Sequence, residues 1–329
     1  MTLDKPEILL AGPQRPLVDA ALAPRFTVHR LWEAPDREKM LAEVAPRVKA
    51  IVSSGGLRMD AALMDRMPAL EMIVNISVGY DLVDAVHAGK VGITVTNTPD
   101  VLTEEVADLT VALLLATLRE LPKADAFLRS GQWLKGEFPL SPGTMRGRSV
   151  GIVGLGRIGK AVARRIEGFG VPIAYFGRNR QPDVPYRYVP DLISLAREVD
   201  TLVSLAPGGA ATRNMVGREV FEALGPQGVF VNCGRGSTVD EAALADALRS
   251  GAILAAGLDV FADEPRVPQA LVDCPNAVLL PHIASASVAT RDAMAELAMK
   301  NLLAWHEGGA PPTPLKEAPW PPKRMGGAA

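Results

Sequence analysis

The chain has 329 residues, 48% of them hydrophobic and 22% charged, and 35 basic against 37 acidic residues give a net charge of −2. This length exceeds what one hydrophobic core usually fills, so we expect two domains. The near-neutral charge gives no electrostatic reason to expect nucleic-acid or membrane partners. Two cysteines, Cys233 and Cys274, form neither a disulfide framework nor a metal-binding spacing. We therefore expect no metal site. With no signal-peptide pattern and no apolar run long enough for a bilayer, we expect a cytoplasmic protein.

Short apolar strands alternate with helices over the first third of the chain. Strands are predicted at residues 7–10, 26–31, 50–53, 72–75 and 93–96, and helices near 17–22, 37–44, 60–67 and 84–90. This alternation is typical of a parallel α/β domain. Residues 97–100 (Asn-Thr-Pro-Asp) end the pattern.

A long helix is predicted to follow, starting near Thr103, where Thr-Glu-Glu-Val resembles a capping box, and running to about Leu121. It is apolar almost all round, so we expect it to be buried between domains or subunits. Residues 124–129 are predicted to continue as helix. The loop over residues 131–144 contains Trp133 and Phe138 and either contacts a partner or site, or simply packs on the surface.

A glycine-rich turn follows the apolar run Val150–Val153. Gly154, Gly156 and Gly159 have the G-x-G-x-x-G spacing, a helical pattern runs over residues 160–169, and a second apolar run covers 173–176. The first glycine permits the turn, the second lets the backbone approach a pyrophosphate, and the third lets helix and strand pack closely. Between a strand and a helix, this motif predicts a dinucleotide-binding βαβ unit.

The end of the second strand distinguishes between the two nicotinamide dinucleotides. NAD sites usually carry an acidic residue there, whereas residues 177–180 of this chain read Gly-Arg-Asn-Arg, with no carboxylate before Asp183. Arg178 and Arg180 offer donors for a 2′-phosphate, although they could also be a solvated strand end. We predict NADPH in preference to NADH.

The alternation of strands and helices resumes after this unit. Strands are predicted at residues 201–205, 229–232, 255–260 and 278–280, and helices at 192–197, 218–224, 240–249 and 287–307. The last residues, 316–329, are rich in proline and glycine and are predicted to form a flexible tail.

Three of these strand ends present polar residues, at the sheet edge where parallel sheets bind ligands. Arg235 follows the strand 229–232, Glu264 follows 255–260, and His282 follows 278–280. A 2-oxo acid reductase needs such a set: a cation for the carboxylate and ketone, a histidine as proton donor, and a carboxylate beside the imidazole. Taken singly, Arg235 could bind a backbone carbonyl, Glu264 could cap a turn, and His282 could be structural.

Several motifs in this order resemble the D-2-hydroxyacid dehydrogenase family, and within it the NADPH-using glyoxylate/hydroxypyruvate and hydroxyphenylpyruvate reductases. The resemblance covers nearly all of residues 50–305. The motifs are Val78-Gly79-Tyr80-Asp81, Thr96-Asn97-Thr98-Pro99, Gly154-Leu155-Gly156-Arg157-Ile158-Gly159, Asn232-Cys233-Gly234-Arg235-Gly236, Gly257-Leu258-Asp259-Val260-Phe261, Glu264-Pro265 and Leu280-Pro281-His282.

The resemblance implies an α/β fold with two parallel-sheet domains. A flavodoxin-like substrate domain would comprise residues 1–99 and 284–315, and a larger Rossmann domain for NADP residues 100–283. Relatives are homodimers built through the cofactor domain, and the Trp133 loop falls where they reach toward the partner's site. The implied reaction is NADPH-dependent reduction of glyoxylate, hydroxypyruvate or arylpyruvates to D-2-hydroxy acids.

The resemblance also implies roles for individual residues. Arg235, Glu264 and His282 would be catalytic, and Arg235, His282 and the backbone N–H groups of Val78 and Gly79 would bind substrate. Asp259 would bond the nicotinamide carboxamide or, alternatively, is a buried turn-capping carboxylate. Gly177 lacks the hydroxyl of the serine that relatives often have before the arginine. The implied cofactor-binding residues are Gly154, Leu155, Gly156, Arg157, Ile158, Gly159, Arg178, Asn179, Arg180, Ala206, Pro207, Cys233, Gly234, Asp259, His282 and Ser285.

Other functions on this fold are weighed against the same residues. Formate dehydrogenases use a glutamine opposite the histidine, where this chain has Glu264, and phosphoglycerate dehydrogenases often append a regulatory domain. An NAD(H)-sensing corepressor-like protein stays an alternative, because such proteins keep the Arg235, Glu264 and His282 set.

Overall fold

The computed structural model describes residues 5–322, which form two compact units. Unit 1 comprises the described residues of Met1–Leu102 and Ser287–Ala329, and unit 2 comprises Thr103–Ala286. The sequence-based borders, residues 99 and 283, each lie three residues before these ends (102 − 99 and 286 − 283). No helix within residues 5–322 is both long and apolar enough to cross a membrane.

Twelve strands and twelve α-helices are found in the described chain, and they alternate except at α5–α6 and β7–β8. In chain order they are β1 (Glu7–Leu10), α1 (Pro16–Leu22), β2 (Thr27–Arg30), α2 (Arg37–Val44), β3 (Val48–Ser53), α3 (Ala61–Asp65), β4 (Met72–Asn75), α4 (Ala85–Val91), β5 (Thr94–Thr96), α5 (Thr103–Leu118), α6 (Leu121–Arg129), β6 (Val150–Val153), α7 (Arg157–Glu167), β7 (Ile173–Phe176), β8 (Arg187–Tyr188), α8 (Leu192–Glu198), β9 (Thr201–Ser204), α9 (Arg218–Leu224), β10 (Val229–Asn232), α10 (Glu241–Ser250), β11 (Ala255–Leu258), α11 (Gln269–Val272), β12 (Ala277–Leu279) and α12 (Val288–His306).

Aspartates fix the starts of five of these helices. In each, the carboxylate accepts the backbone N–H of the third residue that follows, a contact that stabilises a helix by about 1 kcal/mol. These N-caps are Asp36, Asp60, Asp84, Asp191 and Asp240.

Unit 1 is built on a five-stranded parallel sheet in the order β2-β1-β3-β4-β5. The register aligns Leu9, Ile51, Ile73 and Val95 in one row across four strands, and all four side chains are fully buried. Strands covered on both faces need such apolar side chains, which explains the apolar runs in the sequence.

The C-terminal segment of unit 1 corrects the prediction of a flexible tail for residues 316–322. The Ala318 carbonyl accepts the Val95 N–H (3.1 Å), the Leu315 N–H donates to the Val95 carbonyl (2.8 Å), and Ala318 is fully buried. Gly89 of α4 packs so closely that a Cβ there would lie 2.0 Å from the Glu317 carbonyl oxygen. The open edge of β5 offers hydrogen bonds that the sequence pattern did not reveal. The rest of the predicted tail, residues 323–329, lies outside the described residues.

Unit 2 is built on a seven-stranded parallel sheet in the order β12-β11-β10-β9-β6-β7-β8. From β6 the chain runs outward through β7 and β8, returns to β9 on the other side of β6, and continues outward to β12. The strand order therefore reverses between β6 and β9, and ligands bind in the crevice that such a reversal leaves at the carboxyl ends of the strands. This is the double winding expected of a Rossmann domain.

Helix α5 differs from its prediction in length. It ends at Leu118, because Glu120 has a left-handed backbone (φ 51°) from which α6 begins. It packs on the unit 2 sheet: a Cβ on Gly257 of β11 would lie 2.5 Å from the Thr117 hydroxyl oxygen and 2.9 Å from Leu113. Its buried residues are Val106, Ala107, Thr110, Leu113, Leu114, Thr117 and Leu118. One face of α5 is thus buried within unit 2, and its burial between domains or subunits stays a prediction.

Candidate active site

The glycine turn after β6 has the geometry that a phosphate-binding turn requires. Gly154 has φ 93°, which favours glycine, and a Cβ on Gly159 would lie 2.3 Å from the Gly154 carbonyl oxygen. Around Gly156 no atom lies within 4 Å of the Cβ position, so this side of the turn is open. Gly156 also precedes α7 without any side-chain cap. The helix N-terminus can therefore direct N–H groups to an anion that approaches the turn.

Two tyrosines form hydrogen bonds with the backbone of the segment after β7, a role that was not predicted from the sequence. The Tyr175 hydroxyl accepts the N–H of Gln181 (2.6 Å), and the Tyr188 hydroxyl donates to the carbonyl of Gly177 (3.2 Å). Residues 178–180 (Arg-Asn-Arg) are exposed, and no carboxylate within the described chain forms an ion pair with either arginine. The two guanidinium groups are therefore available to a phosphate.

The ends of β9 and β10 approach each other closely. A Cβ on Gly234 would lie 2.6 Å from the Ala206 carbonyl oxygen, so only glycine fits there. Ala206 is buried and Pro207 exposed. Burial raises the pKa of the Cys233 thiol to about 12, although a hydrogen bond with Thr110 opposes the shift. Cys233 is thus a neutral apolar neighbour of this loop and not a nucleophile.

Arg235 is carried by a loop that the Asn232 side chain shapes. The Asn232 amide oxygen accepts the Gly234 N–H (3.0 Å), and its NH₂ group donates to the Arg235 carbonyl (3.1 Å). The Arg235 guanidinium donates to the Gly234 carbonyl (2.8 Å) and is partly exposed. The planar guanidinium carries five N–H donors, a geometry that suits a carboxylate.

Glu264 and His282 form a pair, as predicted for an acid–base site. The His282 Nδ1 lies 2.6 Å from Oε2 of Glu264, and Oε1 of Glu264 accepts the Phe261 N–H at 2.9 Å. Burial by itself would raise the pKa of Glu264. The two hydrogen bonds and the charges of His282 and Arg235 outweigh it, so the pKa is lowered. An ionised carboxylate only accepts, so Nδ1 carries the shared proton and Nε2 is left for another ligand.

Asp259 fixes the backbone around the histidine. It is fully buried, and its two carboxylate oxygens accept the N–H groups of Ile283 (2.7 Å) and Ala284 (2.8 Å). His282 itself has φ 54°, a conformation that a non-glycine residue adopts only when its surroundings impose it. Burial raises the pKa of Asp259, and the two N–H donors oppose the shift. These contacts match the turn-capping alternative; the predicted bond to a carboxamide stays a prediction, as does the role of buried Ser285.

In unit 1, Val78 and Gly79 lie in a loop after β4 that two asparagines shape. Asn75 donates to the carbonyls of Ser77 (3.1 Å) and Gly79 (2.9 Å), and Asn97 donates to the carbonyl of Val78 (2.9 Å). The N–H groups of Val78 and Gly79 donate to no other residue of the described chain. Unused N–H donors of this kind suit an anion such as a carboxylate. The role of Asn75 and Asn97 in shaping this loop was not predicted from the sequence.

Three functional groups thus come together on unit 2: a histidine, its carboxylate partner, and an arginine whose charge acts on that carboxylate. They lie at the carboxyl ends of strands of the sheet that carries the glycine turn. Such a set can protonate an oxygen and stabilise negative charge on it. Within residues 5–322, no three His, Cys, Asp or Glu residues are placed to hold a metal ion.

Comparisons with known proteins agree with this geometry. Residues 111–284 match the family described as D-isomer specific 2-hydroxyacid dehydrogenase, NAD binding domain. The chain is 44% identical over 308 residues to a glyoxylate/hydroxypyruvate reductase A of Arabidopsis thaliana, covering 94% of this chain and 98% of that protein. It is 43% identical over 308 residues to a hydroxyphenylpyruvate reductase of Plectranthus scutellarioides, with the same coverage.

A solved structure extends the similarity to three dimensions. It is an NADPH-dependent glyoxylate/hydroxypyruvate reductase of Sinorhizobium meliloti, crystallised in complex with NADP and malonate. The sequences are 50% identical, the match covers 99% of this chain and 100% of that one, and the TM-score is 0.91.

Proposed function

Because the chain belongs to the D-isomer-specific 2-hydroxyacid dehydrogenase family, we propose that it reduces small 2-oxo acids to D-2-hydroxy acids with NADPH. Glyoxylate and hydroxypyruvate are the leading substrates, and arylpyruvates are further ones, since similar proteins are named for both groups. The observation that carries the proposal is the His282–Glu264 hydrogen bond beside Arg235, on the unit that holds the glycine turn.

The geometry of unit 2 supports the proposed cofactor contacts. The segment Gly154–Gly159, including Leu155, Arg157 and Ile158, would hold the pyrophosphate at the N-terminus of α7. Arg178 and Arg180, with Asn179 between them, would bind the 2′-phosphate. The remaining residues proposed to line the cofactor are Ala206, Pro207, Cys233, Gly234, Asp259, His282 and Ser285.

In the mechanism, protonated His282 donates the Nε2 proton to the ketone oxygen, while Nδ1 stays bonded to Glu264. The Glu264 carboxylate stabilises the imidazolium and fixes the orientation of the ring. Arg235 binds the substrate and stabilises negative charge that develops on the oxygen. When bound, NADPH supplies the hydride that adds to the carbonyl carbon. One hydride and one proton together convert the 2-oxo acid into the 2-hydroxy acid.

A carboxylate-binding role for Val78 and Gly79 is supported within unit 1 by their unused N–H donors. Asn75 and Asn97 occupy the carbonyls of the same loop, which leaves its N–H groups as the available polar atoms.

We further propose a homodimer formed through unit 2. From α6 into the following loop, five large apolar residues are exposed to 52–96%, which is unusual for a surface without a partner. They are Leu121, Leu128, Trp133, Leu134 and Leu140.

We also propose that the protein works in the cytoplasm, because Cys233 and Cys274 are both free and buried, as suits a reducing compartment.

The corepressor-like alternative is not favoured, because the similar proteins compared above are named as reductases. The test is NADPH oxidation by purified protein with glyoxylate, hydroxypyruvate and phenylpyruvate, followed by nicotinamide absorbance. Turnover of one or more of these acids is the expected result. Tight cofactor binding without turnover of any of them would contradict the proposal and favour a sensing role.

The cofactor preference has its own test in the double substitution Arg178→Ser and Arg180→Ser. Each charge-assisted hydrogen bond is worth about 1.5–3 kcal/mol, so NADPH binding should weaken at least about tenfold while NADH binding changes little. Arg197→Ser, at an exposed arginine of α8, is the control. An unchanged ratio of NADPH to NADH affinity would refute the 2′-phosphate site.

A further inference from the structure

We propose that Glu241 is a positioning residue for the reaction: it holds the segment Phe261–Glu264, and through it the Glu264–His282 pair, in place beside Arg235. This inference rests on the proposed function and adds to it a residue that acts through the backbone of the Glu264 segment. Glu241 is the first residue of α10 and lies 21 positions before the residue it contacts.

The Glu241 side chain is not needed to start its helix. Asp240 already caps α10 by accepting the Ala243 N–H at 3.0 Å. The Glu241 carboxylate extends to the segment after β11 instead, where Oε1 accepts the Ala262 N–H at 2.8 Å. Glu241 is partly buried, so water can hydrate its carboxylate only incompletely. A hydrogen bond from the Ala262 N–H therefore stabilises the carboxylate.

Two consecutive N–H groups of this segment are each bonded by a different carboxylate. Ala262 donates to Glu241, and Phe261 donates to Oε1 of Glu264. The other Glu264 oxygen, Oε2, is the partner of His282 Nδ1. The bonds thus form a continuous path from α10 to the imidazole, and Glu241 joins this path to α10.

The loop that carries Arg235 packs on the same peptide group. A Cβ on Gly236 would lie 1.9 Å from the carbonyl carbon of Phe261 and 2.4 Å from the Ala262 nitrogen. Gly236 therefore sets how close the two segments approach. The Glu241 bond then sets the orientation of the peptide that Gly236 contacts, so Arg235 and Glu264 share one support.

The charge of Glu241 is a second, separable contribution. Burial raises its pKa, the Ala262 N–H lowers it, and the charges of Asp263 and Glu264 raise it. Asp263 is exposed and paired with Arg266, and Glu264 is paired with His282. By the same repulsion, ionised Glu241 adds negative potential around Glu264.

The experiment compares Glu241→Ala, Glu241→Gln and wild type, with Glu219→Ala as control. Glu219 lies in the first turn of α9, is exposed, and makes no such bond. Loss of the acceptor in Glu241→Ala should lower kcat about 10- to 100-fold, with KM and NADPH affinity little changed. Glu241→Gln keeps an acceptor oxygen for the Ala262 N–H and should therefore retain most of kcat.

Hydrogen exchange at the Ala262 amide gives a readout that does not depend on turnover. Exchange should be faster in Glu241→Ala and near wild type in Glu241→Gln and Glu219→Ala. The inference would be overturned if Glu241→Ala kept wild-type kcat and wild-type hydrogen exchange at the Ala262 amide. It would also be overturned if Glu241→Ala and Glu241→Gln lost kcat equally. If wild type reduces no 2-oxo acid, the proposed function fails, and the exchange measurement still decides whether Glu241 holds this segment.

Discussion

Two glycines of the turn after β6, Gly156 and Gly159, allow cofactor binding and stability to be perturbed by separate substitutions. In Gly159→Ala the new Cβ would lie 2.3 Å from the Gly154 carbonyl oxygen, and real Cβ contacts essentially never fall under 3.0 Å. The atoms must move apart by 0.7 Å (3.0 − 2.3) against backbone, not a flexible side chain. Such overpacking lowers the free energy of unfolding by up to about 3 kcal/mol. Alanine has a higher helix propensity than glycine, which offsets about 1 kcal/mol of this loss.

A net loss of about 2 kcal/mol corresponds to a Tm lower by about 4–8 °C for a unit of this size. Gly156→Ala should behave differently. Its φ of −78° suits an L-residue and nothing lies within 4 Å of the new Cβ, so the Tm without cofactor should not change. The methyl group would instead occupy the space through which a pyrophosphate approaches, so NADPH should bind about tenfold more weakly or worse.

The assay is thermal unfolding followed by circular dichroism without cofactor, together with a fluorescence titration of NADPH. Two results would refute the assignment of roles to these glycines. One is a Tm loss in Gly156→Ala as large as that in Gly159→Ala. The other is wild-type NADPH affinity in Gly156→Ala.

Three further outcomes test the chemistry and the assembly. His282→Ala should lower kcat about 10²- to 10⁴-fold in steady-state assays with much less effect on KM, and near-normal turnover would remove the histidine from the mechanism. Glu264 has a lowered pKa, so it is ionised at neutral pH and loses its stabilising charge only as pH falls through that value. Glu264→Gln should therefore move the high-pH limb of the kcat/KM profile to lower pH, and an unmoved limb would contradict the pairing. Leu134→Glu with Leu140→Glu should convert a dimer to monomers in light scattering, whereas Val86→Glu, at an exposed residue of unit 1, should not.

The parts of the fold that follow from local pattern could be predicted from the sequence. The apolar runs gave most strands, because strands buried on both faces need consecutive apolar residues. The two-residue strand β8 and the four-residue helix α11 were missed, since elements this short carry no periodicity. The break between α5 and α6 was also missed, because nothing about Glu120 in the sequence indicates a left-handed backbone.

At the candidate site, the residues predicted to act on substrate stand at strand ends, and the structure brings Glu264 and His282 into contact. The residues that shape their loops were not predicted. Asn232 and Glu241 act by bonding backbone groups that are near them only in the folded chain. An asparagine or glutamate with that role has no spacing to distinguish it from one that faces solvent.

The C-terminal segment beside β5 has a consequence for how the protein behaves in concentrated solution. β5 is an outer strand, and an outer strand with free N–H and C=O groups can add a strand from another chain. Here Val95 exchanges hydrogen bonds with Leu315 and Ala318, and the Thr94 hydroxyl donates to the Pro319 carbonyl (3.1 Å). The covering segment is itself interrupted by prolines, which cannot extend the ladder. The protein thus closes one border of its smaller sheet with its own backbone, which protects that border from intermolecular β-pairing.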